Sequence, residues 1–412
     1  MNSLLASSDP LFLHGVTWVV ALIVVIKILV GFGALMGAVI VMIWFERKAI
    51  SDMQSRIGPQ RWGPFGLFQT LADGLKLIGK EDLVPAEADV FVFKLAPYLV
   101  VIPAFITFAI VPIGGTLHIA GHVVLLQMAN PPMGILLMLA MSGISVYGVM
   151  LAGWSSGSKY PLLSSVRASA QMISYEAALG MTIVMVVLVT GSLSTRTIVN
   201  AQAGHLWQWN VIRLAVVPFL IFFIAVVAET NRPPFDLVEA DQELVGGFVT
   251  EYSSIRFALF FLAEFMNTIT MSAITVTLFF GGPDGPKPHI PHTQWIWPIL
   301  WFLGKTIVFL FVFVWLRAAL PRMRYDQLMD LGWKKLIPLS LGWLLIVAGF
   351  VIDGWWGVAM VGAVVIAAIT ITRAFAIGSE REETRAIIPQ VGVRLWRRPA
   401  EPDPAVTTGG GD

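Results

Sequence analysis

Long apolar runs, broken by short charged segments, dominate this chain. Crossing a bilayer core takes about 20 mostly apolar residues in a helix, and nine stretches qualify: 16–45, 91–113, 133–154, 166–191, 211–228, 255–280, 297–320, 336–352 and 355–376. The first is too long for one upright crossing, so it should tilt or project beyond the bilayer. The alternation of barrel strands is missing, so the runs read as helices. Residues 1–376 therefore read as one membrane domain, an all-α polytopic transmembrane helix bundle of about nine spans.

Between the first two spans, about 64–80 is too short and too polar to cross. Leu67, Leu71, Leu75 and Ile78 recur at helical spacing, with Gln69, Asp73, Lys76 and Lys80 elsewhere around the wheel. That pattern predicts an amphipathic helix lying at the interface. After residue 376 the composition turns polar and rich in Arg, Pro and Gly, which predicts a flexible tail over 377–412. Met1 to Asp9 has no basic stretch and contains an acid, so a cleavable signal peptide is not expected.

Composition hardens the membrane reading. Of 412 residues, 57% are hydrophobic and 13% charged, against about 25% charged in soluble domains; the mean hydropathy is +0.78. Soluble, disordered and nucleic-acid-binding classes are excluded. The net charge of +1 says little, but its layout says more. Alternate loops carry 22 of the 27 Lys and Arg residues on one side, and only Arg196, Arg213 and Lys287 face the other. The positive-inside rule puts the N-terminus outside and the C-terminus in the cytoplasm. With no cysteine, the chain offers no thiolate metal site and no ligands for an Fe–S cluster.

Several signals dissolve on inspection. Gly74 to Lys80 imitates a P-loop, but Glu81 stands where Ser or Thr should hold magnesium. Gly33-x-x-x-Gly37 reads as close helix packing. All six histidines fall on the outer side with no pair inside the membrane, so no metal or haem site is expected. Most Trp residues sit near span ends, as an interfacial belt.

The acids are the informative feature. From Val90 to Ala228 there is one, Glu176; residues 229–264 hold seven, Glu229, Asp236, Glu239, Asp241, Glu243, Glu251 and Glu264, opposed by Arg232 and Arg256. Glu176 and Glu264 lie inside spans, where an ionised acid costs roughly 2.5–3.5 kcal/mol even on the mildest scale. Asp236, Glu239 and Glu243 are spaced for one helix face, just after a Pro233-Pro234 break. Carboxylates so close cannot all ionise independently, and groups sharing protons near neutrality suit a proton path. A solvated acidic loop would give the same spacing; Glu176, Glu264 and the mid-span Lys305 favour the buried path. A structural ion pair would also account for Lys305, and Lys27 reads as snorkelling to the outer face.

These residues carry a resemblance. Glu46-Arg47-Lys48, Gln54-x-Arg56-x-Gly58-Pro59, Gln69-x-x-Ala72-Asp73-Gly74-x-Lys76, the run Ala228-Glu229-Thr-Asn231-Arg232-x-Pro234-Phe235-Asp236 continuing to Glu251-Tyr252, and Arg317-x-x-x-Pro321-Arg322-x-Arg324-Tyr325-Asp326-Gln327 occur in order. Over about 16–352 the chain resembles the quinone-chamber membrane subunits of proton-pumping NADH–quinone oxidoreductase, respiratory complex I. The resemblance implies a membrane subunit of a translocase, docked to other membrane subunits and to a hydrophilic arm. In that arm NADH, FMN and Fe–S clusters would belong to partner chains, and this chain would carry no redox centre. Quinone would enter from the lipid bilayer into a tunnel lined or gated by Arg47, Arg56, Asp73 and Arg317, with Phe261 as an apolar wall. Glu46, Glu176, Glu229, Asp236, Glu239, Asp241, Glu243, Glu251 and Glu264 would form the proton path, and Lys305 matches a family lysine. Asp241 stands where many relatives have Glu, and the ninth span and tail fall outside the family pattern.

Two other readings share some features. A paralogous subunit of a membrane-bound hydrogenase or formate-oxidising complex would keep much of this core without needing quinone. A stand-alone cation transporter would use the intramembrane acids, but the inverted repeats of that class are not evident.

Overall fold

Thr17 opens the first helix by accepting the amide of Val20 at 3.4 Å, and the apolar run behind it continues without interruption as α1, Trp18–Met53. The computed structural model describes residues 10–12, 17–119, 121–237, 245–286, 294–366 and 370. At 36 residues α1 is about 54 Å long, well beyond the hydrocarbon thickness. A 3-10 turn at Pro64–Gly66 leads to α2, Gln69–Ile78. None of the α2 residues is buried, and its apolar stripe of Leu71, Leu75 and Ile78 stays exposed, as an interfacial helix requires. Thr70 donates to Ile40 O and the Trp44 indole to Phe65 O, tying this segment alongside α1.

The remaining long spans are α3 (Val90–Ala109), α4 (Gly134–Ser155), α5 (Lys159–Thr190), then, after the shorter α6 (Val217–Glu229), α7 (Ser254–Phe279), α8 (Ile296–Ala319) and α9 (Tyr325–Ile352). Among the described residues, seven helices are thus long and apolar enough to cross a membrane. With the shorter α6 and α10 (Gly354–Ile366), each of the nine apolar runs contains one of these helices. The chain is an all-α polytopic bundle. Its centre is α7: 61% of its apolar window is buried, against 22% for α1.

Three local differences from the sequence pattern have physical causes. The fifth run is not one helix. Pro218 has no N–H and its ring would clash with the carbonyl of Leu214 in a continuous helix; Ala215 and Val216 take positive φ, and the freed Leu214 carbonyl accepts the Trp343 indole N–H at 3.3 Å. The eighth run begins at Tyr325 rather than 336, because a hydrophobicity window sees only the membrane-embedded part. The polar first turns are nonetheless helical, braced by an Asp330–Lys334 pair at 2.8 Å, and pass through a π segment at Leu331–Leu336. Finally, Thr116–Ile119 and His122–Leu125 form an antiparallel hairpin with Ile119 opposite His122; its four-residue strands are too short for a periodicity count.

Candidate functional site

At the Lys- and Arg-rich end of the bundle, α1, α7 and α8 converge on a cleft of about 620 Å³. Its wall includes Glu46, Arg47 and Arg56 from α1 and the segment after it, Phe261 and Glu264 from α7, and Arg317 from the last turn of α8. These six residues come from stretches of chain up to 271 positions apart, and the packing of α7 against α1 and α8 brings them together. The volume lies within the range of small-molecule sites.

The cleft is held by a charge network. Glu46 is buried, and its carboxylate accepts from Arg232 Nη1 at 3.0 and 3.1 Å and from Arg317 Nη1. Arg232 also reaches Glu264 Oε1 through Nε at 3.0 Å, while its guanidinium lies 4.3 Å from the Phe265 ring centroid. Two acids and two arginines thus balance. That matters in a low dielectric, where breaking one buried pair leaves an uncompensated charge. At the rim, Arg47 pairs with Asp73 at 2.5 Å, and Asp73 also accepts from Gln69 at 3.2 Å, so α2 is latched to α1 beside the opening. Arg56 Nε donates to Gln54 at 2.7 Å.

A second, smaller cavity of about 90 Å³ lies between α3, α4 and α7. Its polar lining includes Ser142, Glu229, Asn231, Asp236, Glu264 and Asn267. Glu229 is buried; one oxygen accepts from Ser142 Oγ, and the other has no hydrogen-bond partner among the described residues. A cavity of this size beside an orphaned carboxylate oxygen suits bridging water. Glu176, half-buried on α5, is close enough to Glu229 to interact with it electrostatically. Phe261 and Glu264 line both cavities, so the two spaces share a wall.

Other expected site residues fall elsewhere. Glu251 is half-buried in the turn before α7; beside it, burial pushes the Tyr252 phenol up to about 12, leaving it a donor to Phe93 O at 3.2 Å. Glu239, Asp241 and Glu243 lie outside the described residues, as does the 377–412 tail. Among the described residues, Lys305 does not reach the acids of the expected path. Its ammonium donates to the carbonyls of Phe280, Gly282 and Asp284 at 2.8, 3.1 and 2.7 Å and sits 4.6 Å from the Trp209 ring centroid. Those carbonyls follow the C-terminal end of α7, about 24 Å along the helix axis from Glu264. The ammonium caps a helix C-terminus, where a cation is favourable.

In the sequence Arg232 stands out as a counter-charge to the acids and as part of a motif, with no site role attached, and Ser142 and Asn267 do not stand out at all. A lone hydroxyl or amide in an apolar run carries no signal until its neighbours across the bundle are known.

The architecture defines a multi-pass helical membrane protein with a charge-lined cleft beside a buried carboxylate cavity. The profile of the NADH dehydrogenase family matches residues 26–348. The NADH-quinone oxidoreductase H subunit of Frankia alni is 53% identical over 309 residues, covering 74% of this chain and 68% of that protein. The H subunits of Frankia casuarinae (49% over 333 residues, 80% and 72% covered) and Streptomyces avermitilis (49% over 334 residues, 79% and 72% covered) are also similar. The chain belongs to this family, among the H subunits of NADH-quinone oxidoreductase, complex I.

Proposed function

We propose that the cleft forms the membrane half of a quinone tunnel completed by the hydrophilic arm, and that the carboxylates behind it couple quinone reduction to proton translocation. The observation that carries this reading is Glu264: it faces both cavities and is tied through Arg232 to Glu46. Reducing a quinone to quinol takes two electrons and two protons, and the electrons would come from clusters on partner subunits, since this chain has no cysteine. Charge developing in the cleft would act on a network that is neutral beforehand and poorly screened. Arg317 and Arg47 would stabilise it, and Phe261 would wall the apolar tail. If Glu46 or Glu264 takes up a proton, Arg232 loses one anchor and is drawn towards the other. A change at the cleft is thereby felt at Glu229 and Asp236. Glu176 and Glu251 would extend the path, with Glu239, Asp241 and Glu243 beyond Asp236. Lys305 would serve that path only indirectly, by fixing the far end of α7. In this reading the chain sits in the bacterial cell membrane with its N-terminus outside and its basic end in the cytoplasm.

The test is E264Q in the intact complex, reconstituted in vesicles with NADH and a short-chain quinone. The expected result is a fall in protons moved per electron larger than the fall in quinone reduction. A wild-type ratio in assembled E264Q complex would overturn the coupling role.

A further inference from the structure

Three of the groups just described, Glu229, Arg232 and Asp236, sit at the last residue of α6 and on the short non-helical segment that follows it. Short backbone bonds shape that segment, from Asn231 N to Ala228 O, Arg232 N to Val227 O and Phe235 N to Arg232 O, but none of them joins its two ends at Ala228 and Phe235, so the spacing of those ends needs a brace from outside. Asn231 is in the left-handed region at φ +51, where the chain turns out of α6.

The side chain that meets this need comes from α5. Gln171 is fully buried, and its Nε2 lies 2.7 Å from Ala228 O, 2.8 Å from Phe235 O and 3.3 Å from Asn231 Oδ1. One amide nitrogen therefore grips the chain immediately before Glu229 and immediately before Asp236, and touches the residue preceding Arg232. One turn further along α5, Tyr175 packs its ring against Phe235 at 5.6 Å between centroids and donates to Leu328 O at 2.9 Å. A polar amide fully buried in a spanning helix costs free energy unless it is bonded. Here its two N–H groups are committed to main-chain acceptors at both ends of one loop, while its Oε1 has no partner among the described residues. A side chain kept solely to satisfy itself would not leave its acceptor unused.

We propose that Gln171 is a positioning residue for the coupling segment. It fixes the spacing between Glu229 and Asp236, and with it the reach of Arg232 to Glu46 and Glu264. This rests on the reading of that segment as the link between cleft and cavity. Gln171 itself lines neither cavity, so its loss should act on turnover rather than on quinone binding.

The experiment uses the intact complex carrying Q171E, which keeps the shape but cannot donate two N–H bonds, and Q171L, which donates none. Backbone hydrogen exchange over residues 230–237 should rise in both. NADH-driven quinone turnover should fall about tenfold while KM for a short-chain quinone stays within about twofold. Wild-type exchange and turnover in either assembled variant would overturn the clamp. If neither assembles, Q171N, one methylene shorter and unable to reach both Ala228 O and Phe235 O, must still raise exchange over 230–237; unchanged exchange there overturns it as well. Raised exchange with wild-type protons per electron and wild-type turnover would keep the clamp as a structural feature but overturn its positioning role. Loss of the coupling reading alone is recognised separately, by a wild-type proton-to-electron ratio in E264Q.

Discussion

The carboxylate of Glu264 meets the guanidinium of Arg232 at 3.0 Å, Oε1 to Nε, on the wall that the cleft and the inner cavity have in common. The same arginine holds Glu46 through a different nitrogen, 3.0 Å away. A guanidinium spreads its charge over a planar fork, which lets one side chain pair with carboxylates from two helices at once.

R232M should therefore be among the most damaging substitutions in the chain. It leaves Glu46 and Glu264 facing each other with Arg317 as the remaining cation, and breaking a buried pair of this kind costs about 3–5 kcal/mol. R232K keeps the charge but reaches one acid at a time, so it should retain assembly and lose much of the quinone turnover. Melting of the purified complex and its NADH–quinone activity check both, and R232K indistinguishable from wild type would contradict the bridge.

E229Q should separate stability from pumping. The Glu229 oxygen without a partner is buried, and a neutral amide is cheaper to bury than a carboxylate. The melting temperature should stay level or rise, while protons moved per electron in vesicles decline. A stable variant with full pumping would remove Glu229 from the path.

K305M should do the reverse. It strips the donors from three carbonyls at the end of α7, costing about 1–3 kcal/mol, yet the surviving complexes should pump with the wild-type proton-to-electron ratio. A pumping deficit in complexes that melt normally would instead give Lys305 a direct part in proton transfer.

V216G should stabilise the protein. Val216 has a φ of +67, a conformation that costs a β-branched residue about 1–3 kcal/mol and glycine almost nothing. Detergent melting curves decide the matter: a lower transition would mean that the Val216 side chain contributes more by packing than its backbone loses.

Much of the architecture could be read directly from the chain because the bilayer imposes it. A span must be apolar for about 20 residues whatever it packs against, so each of the nine runs carries a helix, and the Leu71–Leu75–Ile78 stripe identifies an interfacial helix from spacing alone. The acids at 176, 229, 236 and 264 announce themselves because charge in such a setting is rare. What a run of apolar residues cannot specify is where its backbone breaks. Pro218 gave a hint, but the interruption at Ala215 and Val216 also depends on Trp343 receiving a freed carbonyl.

The sequence by itself determined that this is a helical membrane protein, which end is basic, and that carboxylates concentrate in one stretch; these are local quantities, summed along the chain. Only the tertiary structure decided who faces whom. It brought Glu46, Glu264 and Arg317 around Arg232, although they lie on three helices. It sent Lys305 to backbone carbonyls rather than to the acids, and put Gln171 against both ends of a loop some sixty residues away. Such choices follow from helix rotation and tilt, which are set by side-chain packing between spans. A periodic pattern fixes which face of a helix is polar, but not which polar group meets it across the bundle.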